Sequence, residues 1–286
     1  MNDNRKAVLA CIDGSTYKRG VVDYAAWVSG ALGAPLKLLH NIEARDHLPM
    51  SDLSGMLGLG TREALLEELV SMEEKRSRIL LEQGQLMLDN ARQRALAQGA
   101  GDVTSIQRHD SLVDALVDLE DDIGILVLGI RGETHSERQP PPSAWLETAI
   151  RALHRPVLVV NRDFSAPPRR CMVAYDGSDG ARKALAMVAG NPLFRAMECH
   201  LVQVDKAGQP ALLEDAAATL REAGLDVVAA ALHGDAEQQL GDYQRRHGIE
   251  LTVMGAFGHS RLRELLFGSL TYRMLAGAQT PLLLLR

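Results

Sequence analysis

"RCMVAYDGSDGARKALAMVAG", Arg170–Gly190, decides how the rest of the chain is read. A short apolar run ends in Asp176-Gly177-Ser178 and gives way to a pattern with helical periodicity. The same order occurs earlier: "KAVLACIDGSTYKRGVVDYAAWVSGAL" begins at Lys6 and places Asp13-Gly14-Ser15 after its own apolar run. Two later segments also recur. "DIGILVLGIRG" (Asp122–Gly132) matches "GIELTVMGAFG" (Gly248–Gly258), and "RPVLVV" from Arg155 matches "TPLLLL" from Thr280. Recurrence in the same order predicts an internal duplication.

In the second copy the expected strands are "CMVAYD", "CHLVQV", "DVVAAAL", "ELTVMG" and "PLLLL". Helices are expected near Gly180–Val188, Ala211–Ala223, Ala236–His247 and Leu270–Gly277. Nearly continuous apolar strands alternating with helices predict a parallel sheet covered on both faces. The expected fold is therefore α/β: two tandem doubly wound domains, each a five-stranded parallel sheet of order 3-2-1-4-5. The break falls in "NRDFSAPPRR", whose Ala-Pro-Pro interrupts helix and strand, giving domains 1–162 and 163–286. A chain of 286 residues also suits two units at roughly 150 residues each.

The first copy is longer between Arg45 and Gly99, where "TREALLEELVSMEEKRSRILLEQGQLMLDNARQRALAQG" reads as one long amphipathic helix. Such a helix either packs along its own sheet or overhangs it as a contact for a partner or a second chain.

Composition narrows the function classes. With 31 Lys+Arg against 37 Asp+Glu and no basic block, a general nucleic-acid surface is not expected. Apolar runs such as "GILVLGI" fall far short of the ~20 residues that span a bilayer, and the apolar run before Asp13 is too short for a secretory signal. A cytoplasmic protein is expected. Cys11, Cys171 and Cys199 show no C-x-x-C spacing, and the nine histidines form no metal-binding motif, so no metal site is predicted.

In a doubly wound sheet, ligands bind beyond the carboxyl ends of the strands, where strand order reverses. Asp176 and Gly255 should end the first and fourth strands of the second copy at that edge. After Gly255, "GAFGHSRLRELLFGSL" adds Gly258, then Gly268 and Ser269 at the start of the last helix. Glycines allow backbone N–H groups to approach an anion, and a helix start offers free donors and a positive dipole end.

This G-x2-G-x9-G-[ST] spacing resembles the nucleotide motif of the universal stress protein family. Asp176, the "LVQV" strand and the closing "PLLLL" extend that resemblance over nearly the whole chain as two tandem domains. The resemblance implies an ATP-binding regulatory or stress-response protein, with ATP and magnesium held in the second domain. Asp176 would contact the adenosine end and the backbone of Val204 would line the adenine slot. Gly255, Gly258, Gly268, Ser269 and the backbone of Leu270 would hold ribose and phosphates. His259 and Arg261 lie in the intervening arm and are read as solvated loop residues.

The first copy keeps Asp13, Gly129 and Gly132 but continues "ETHSERQPPPSAWLE", with Pro142 and Ser143 opposite Gly268 and Ser269. Proline has no N–H to donate, so the first domain is expected to bind nucleotide weakly or not at all and to support the second or bind a protein partner. Pairing of the two copies through their last strands would make a pseudo-dimer within the chain, and a homodimer stays open.

No catalytic set is predicted: G-x-x-x-x-G-K-[ST] and S-G-G-x-D-S are both absent. Slow ATP hydrolysis and a nucleotide-independent interaction scaffold are the alternatives. A dinucleotide oxidoreductase does not fit, because Asp-Gly-Ser replaces G-x-G-x-x-G after each first strand.

Overall fold

The computed structural model describes residues 6–42, 59–131, 144–204, 210–256 and 269–286. Among these residues ten strands form one sheet, β1 (Ala7–Cys11) to β10 (Leu282–Leu285), in the order β3-β2-β1-β4-β5-β10-β9-β6-β7-β8. The first half contributes β2 (Leu36–Asn41), β3 (Val103–Arg108), β4 (Ile123–Gly129) and β5 (Val157–Val160) besides β1. The second contributes β6 (Arg170–Ala174), β7 (Glu198–Val204), β8 (Asp226–Leu232) and β9 (Leu251–Gly255) besides β10. Each half is parallel with the order 3-2-1-4-5, as the repeat predicts.

The halves meet through their last strands. β10 pairs antiparallel with β5, with Leu282 opposite Val159 and Leu284 opposite Val157. Side chains alternate across these strands, so Leu283 packs into one core and Leu282 and Leu284 into the other. Both cores continue from one half to the other across this junction. Asn161 closes it, its amide donating to the carbonyls of Ala278 at 2.8 Å and Thr280 at 3.2 Å.

One face carries α1 (Lys18–Leu32), α2 (Leu59–Ala97), α5 (Asp179–Gly190) and α6 (Pro210–Glu222); the other carries α3 (Leu112–Leu119), α4 (Ala144–Ala152), α7 (Ala236–His247) and α8 (Ser269–Ala276). Local chemistry sets their ends. Ser111, Ser178 and Asp235 cap α3, α5 and α7 by accepting a backbone N–H, and Gly33 and Gly248 end α1 and α7 in the left-handed region. The long helix is present, and its carboxyl-terminal part sits on the sheet, with Gly84, Leu88, Ala91 and Ala95 buried. Arg94 ties it to α1 through both oxygens of Asp23, at 2.6 and 2.7 Å.

A buried polar group lies beneath α7. The imidazole of His200 on β7 is 4% exposed; its Nδ1 is 2.9 Å from the Tyr243 hydroxyl and its Nε2 is 3.5 Å from Glu198. Burial pushes His200 below its ordinary 6.5, against the opposing pull of the Glu198 carboxylate, while His247 and Arg170 add to the downward shift. The folded state thus takes up a proton less readily than the unfolded chain. Stability present above about pH 6.5 is lost as pH falls through the depressed value. Glu198, held below its usual range by Arg170 and His200, acts in the same direction at lower pH. Melting temperatures taken from about pH 7.5 to 5 should fall, and His200→Phe should flatten the part of that slope just below about pH 6.5.

Cys171 and Cys199 lie side by side on β6 and β7, both fully buried. The contact with Cys199 and burial push the Cys171 thiol well up, so it behaves as core rather than as a nucleophile. Burial, with the nearby Asp13 carboxylate, also pushes up the Cys11 thiol.

Candidate functional site

The crevice opens where β6 and β9 part. Their pairing ends at Val173 opposite Val253, whereas β6 goes on to pair Ala174 with Val202 and β9 pairs Met254 and Gly255 with Leu284 and Leu285. The last residues of both strands are thus drawn outward to opposite neighbours, leaving a split at the carboxyl edge.

β6 stops at Ala174, two residues short of the expected end, and Asp176 lies in the turn beyond it. Tyr175 is drawn toward β7, its N–H donating to the Val202 carbonyl at 2.9 Å, and Asp176 then accepts the Ser178 N–H at 3.0 Å. That turn needs Gly177 at φ 72°, and α6 closes over it, with Leu212 Cδ2 2.8 Å from where a Cβ would stand. Ser178 caps α5 by accepting from Ala181 at 3.2 Å. Asp176 is exposed at the rim.

Val204 ends β7, as expected, and is half-buried against the same core as Ala174, Leu232 and Leu270. Gly255 ends β9. Its backbone is not in the left-handed region, so the requirement for glycine is spatial. A Cβ there would lie 2.9 Å from the Gly180 carbonyl carbon and 3.0 Å from Gly180 Cα, inside the first turn of α5. Gly255 is thus occupied on one side by helix backbone, a role the anion-approach argument did not foresee.

Ser269 begins α8 and Leu270 follows it. The Thr271 hydroxyl, buried, donates to the Gly255 carbonyl at 3.2 Å, so the start of α8 is fastened to the end of β9. Arg273 adds a link to α7, 3.5 Å from Asp235 and 3.3 Å from Glu237. Asp235 is itself held below the usual carboxylate range, chiefly by the Gln238 N–H and secondarily by Arg273. Asp176, Val204 and Gly255 all stand at this carboxyl edge, and α8 is docked to it. Gly258, Gly268, His259 and Arg261 lie outside the described residues.

The first half repeats the scaffold with different residues at the rim. β1 and β4 part after Ala10 and Val127, and Asp13 accepts the Ser15 N–H at 2.9 Å as Asp176 does from Ser178. Counting from these aspartates, Tyr17 stands where the second half has Gly180, and Asn41 where it has Val204. A Cβ on Gly129 would come 3.2 Å from Tyr17 Cβ, so the tyrosine leans on the end of β4. Asn41 donates to the Asp110 carbonyl. Gly132, Pro142 and Ser143 lie outside the described residues.

Sequence reasoning missed Gly180, Thr271, Tyr17 and Asn41. Aligning the two copies outward from Asp13 and Asp176 would have exposed the Tyr17/Gly180 and Asn41/Val204 differences. Nothing local marks Thr271. Among the described residues, no three His, Cys, Asp or Glu side chains come together as a metal site, and no helix is long and apolar enough to cross a membrane.

Comparison with known proteins agrees with this architecture. A profile of the universal stress protein family matches residues 4–161 and 201–286. A universal stress protein of Synechocystis is 35% identical over 287 residues, covering 98% of this chain and 100% of the relative. Among solved structures, a universal stress protein from Archaeoglobus fulgidus superposes with a TM-score of 0.71 at 18% identity, covering 100% of this chain and 99% of that one. A functionally unknown protein from Pseudomonas aeruginosa gives 0.58 at 18% identity, over 98% and 92% of the two chains. Both family-matched segments and a full-length relative lead to one conclusion: the chain belongs to the universal stress protein family, as a tandem member.

Proposed function

We propose that the chain is an adenine-nucleotide sensor whose second domain, residues 163–286, holds ATP with magnesium, and whose first domain, residues 1–162, supports it or binds a protein partner. The observation that carries this reading is the docking of α8 onto the end of β9 by Thr271 and Gly255, beside the split of β6 from β9. A helix start fixed at a parting of parallel strands places free N–H donors where a phosphate would lie.

In this assignment Asp176 and the Val204 backbone face the nucleoside, and Gly255, Gly258, Gly268, Ser269 and the Leu270 backbone take ribose and phosphates. Tyr17 in place of Gly180, Asn41 in place of Val204 and Pro142 opposite Gly268 leave the first domain a poorer cradle. A cytoplasmic setting fits a protein that reads the nucleotide pool.

Calorimetric titration with ATP, ADP and AMP in the presence of magnesium tests the proposal. The parent should saturate with ATP at one site per chain, and Gly268→Pro, which installs the first copy's residue, should weaken ATP by at least about tenfold. Absence of saturable binding in the parent would sink it. Phosphate release followed over hours, alongside Ser269→Ala, separates a binder from a slow hydrolase: multiple turnovers lost in the variant would favour the latter.

A further inference from the structure

α2 reaches well past the sheet it sits on. From Glu67 to Gln83 none of its residues is buried, about 25 Å of helix at ~1.5 Å per residue. Along this arm and into the next turn, Met72, Ile79 and Leu86 are 61%, 54% and 63% exposed. They recur every seventh residue, so they line one face, and that face points away from the seat made by Leu88, Ala91 and Ala95. Leu69, also exposed, joins the line one turn before Met72. Single exposed leucines are ordinary, but a continuous apolar row on a projecting helix is a contact surface.

We propose that this row pairs with the same row of a second copy of the chain, the two α2 helices antiparallel and crossing at Ile79. The spacing is symmetric about that residue: a twofold axis there sets Met72 of one chain against Leu86 of the other, twice. The charges agree with that arrangement. Lys75, four residues before Ile79, and Glu82, three after it, share one flank of the row, and an antiparallel twofold sets like flank against like flank, so it brings Lys75 of each chain beside Glu82 of the other. A parallel pair would instead set Lys75 beside Arg76, which lies on the opposite flank. Neither group is sealed within its own helix, since Lys75 is exposed and Glu82 is 64% exposed beside Arg78. Two helices touching over some 20 Å make a small interface, so the dimer should form in the micromolar range.

Sedimentation velocity of the full chain from about 1 to 100 µM should show a monomer–dimer equilibrium. Ile79→Lys, which places two ammonium groups on the axis, should raise the dissociation constant by more than about tenfold, with circular dichroism and melting temperature unchanged because the site is exposed. Lys75→Glu should also weaken the dimer, and Lys75→Glu/Glu82→Lys should restore it. A monomer at every concentration overturns the proposal, as does a dimer indifferent to Ile79→Lys. A charge-swapped double variant no tighter than Lys75→Glu overturns the antiparallel register.

Discussion

Gly255→Ala lowers the unfolding free energy by about 1–3 kcal/mol, and Gly255→Val by more, because the added Cβ meets backbone on α5 rather than a side chain that can turn aside. The contact atoms, Gly180 carbonyl carbon and Cα, belong to a turn already fixed by the Ser178 cap, so relief requires shifting α5 or bending β9. Either movement widens the rim to which Thr271 fastens α8. On the proposed assignment, ATP affinity should fall along with stability. The matched change in the first half is milder. Gly129→Ala meets Tyr17 Cβ at 3.2 Å and the Arg131 carbonyl at 3.3 Å, distances that yield to a few tenths of an ångström. Urea unfolding of both variants decides the matter: a Gly255→Ala midpoint equal to the parent's would remove the packing role assigned to this glycine.

Arg94→Ala destabilises the first half by about 2–3 kcal/mol. Asp23 is 2% exposed and loses both charge-assisted hydrogen bonds at once, leaving a buried carboxylate without its cation. The figure stays below the roughly 3–5 kcal/mol of a fully enclosed pair because Arg94 is 42% exposed, so solvent can follow its removal. Arg94→Lys should recover only part of the loss, since a single ammonium cannot bridge both oxygens in the guanidinium's planar geometry. Asp23→Ala/Arg94→Ala should be more stable than Arg94→Ala, as no charge is then stranded. Chemical denaturation of the four proteins measures this directly. A single variant within about 0.5 kcal/mol of the parent would show that the pair does not hold α2 to α1.

Most of the architecture was legible because it is written in local pattern. Apolar runs bounded by Asp-Gly-Ser, Gly and Pro gave all five strands of the second half, and the repeat carried them to the first. The pairing of last strands followed from an edge that had to be covered, and β5 and β10 meet as that required. The candidate site was legible at the level of which loops converge, and less so at the level of what each residue does there. Gly255 carries the clearest lesson. Its position at a strand end was readable, but its nearest neighbour, Gly180, lies on a helix whose approach only the folded sheet reveals. Asp176 fell outside its strand because Tyr175 turns toward β7, a choice made by a hydrogen bond between strands. Thr271 could not be singled out, since a threonine one turn into a helix looks the same whether its hydroxyl meets water or a distant carbonyl.

The antiparallel junction of β5 with β10 also fixes directions. Carboxyl ends of the first five strands point to one rim of the sheet, and those of the second five point to the other. Asp13 and Gly129 therefore stand on the far side from Asp176 and Gly255, separated by at least the roughly 13–20 Å of a strand's length. What borders the second rim from the first half is the last turn of α4: Arg286, just after β10, donates to the Arg151 carbonyl, and Lys183 of α5 donates to the Arg286 carbonyl at 2.9 Å. A small molecule at the second rim and anything bound at the first would approach from opposite directions and never touch. Communication between them would have to cross the junction of β5 with β10, whose strands carry four apolar residues each.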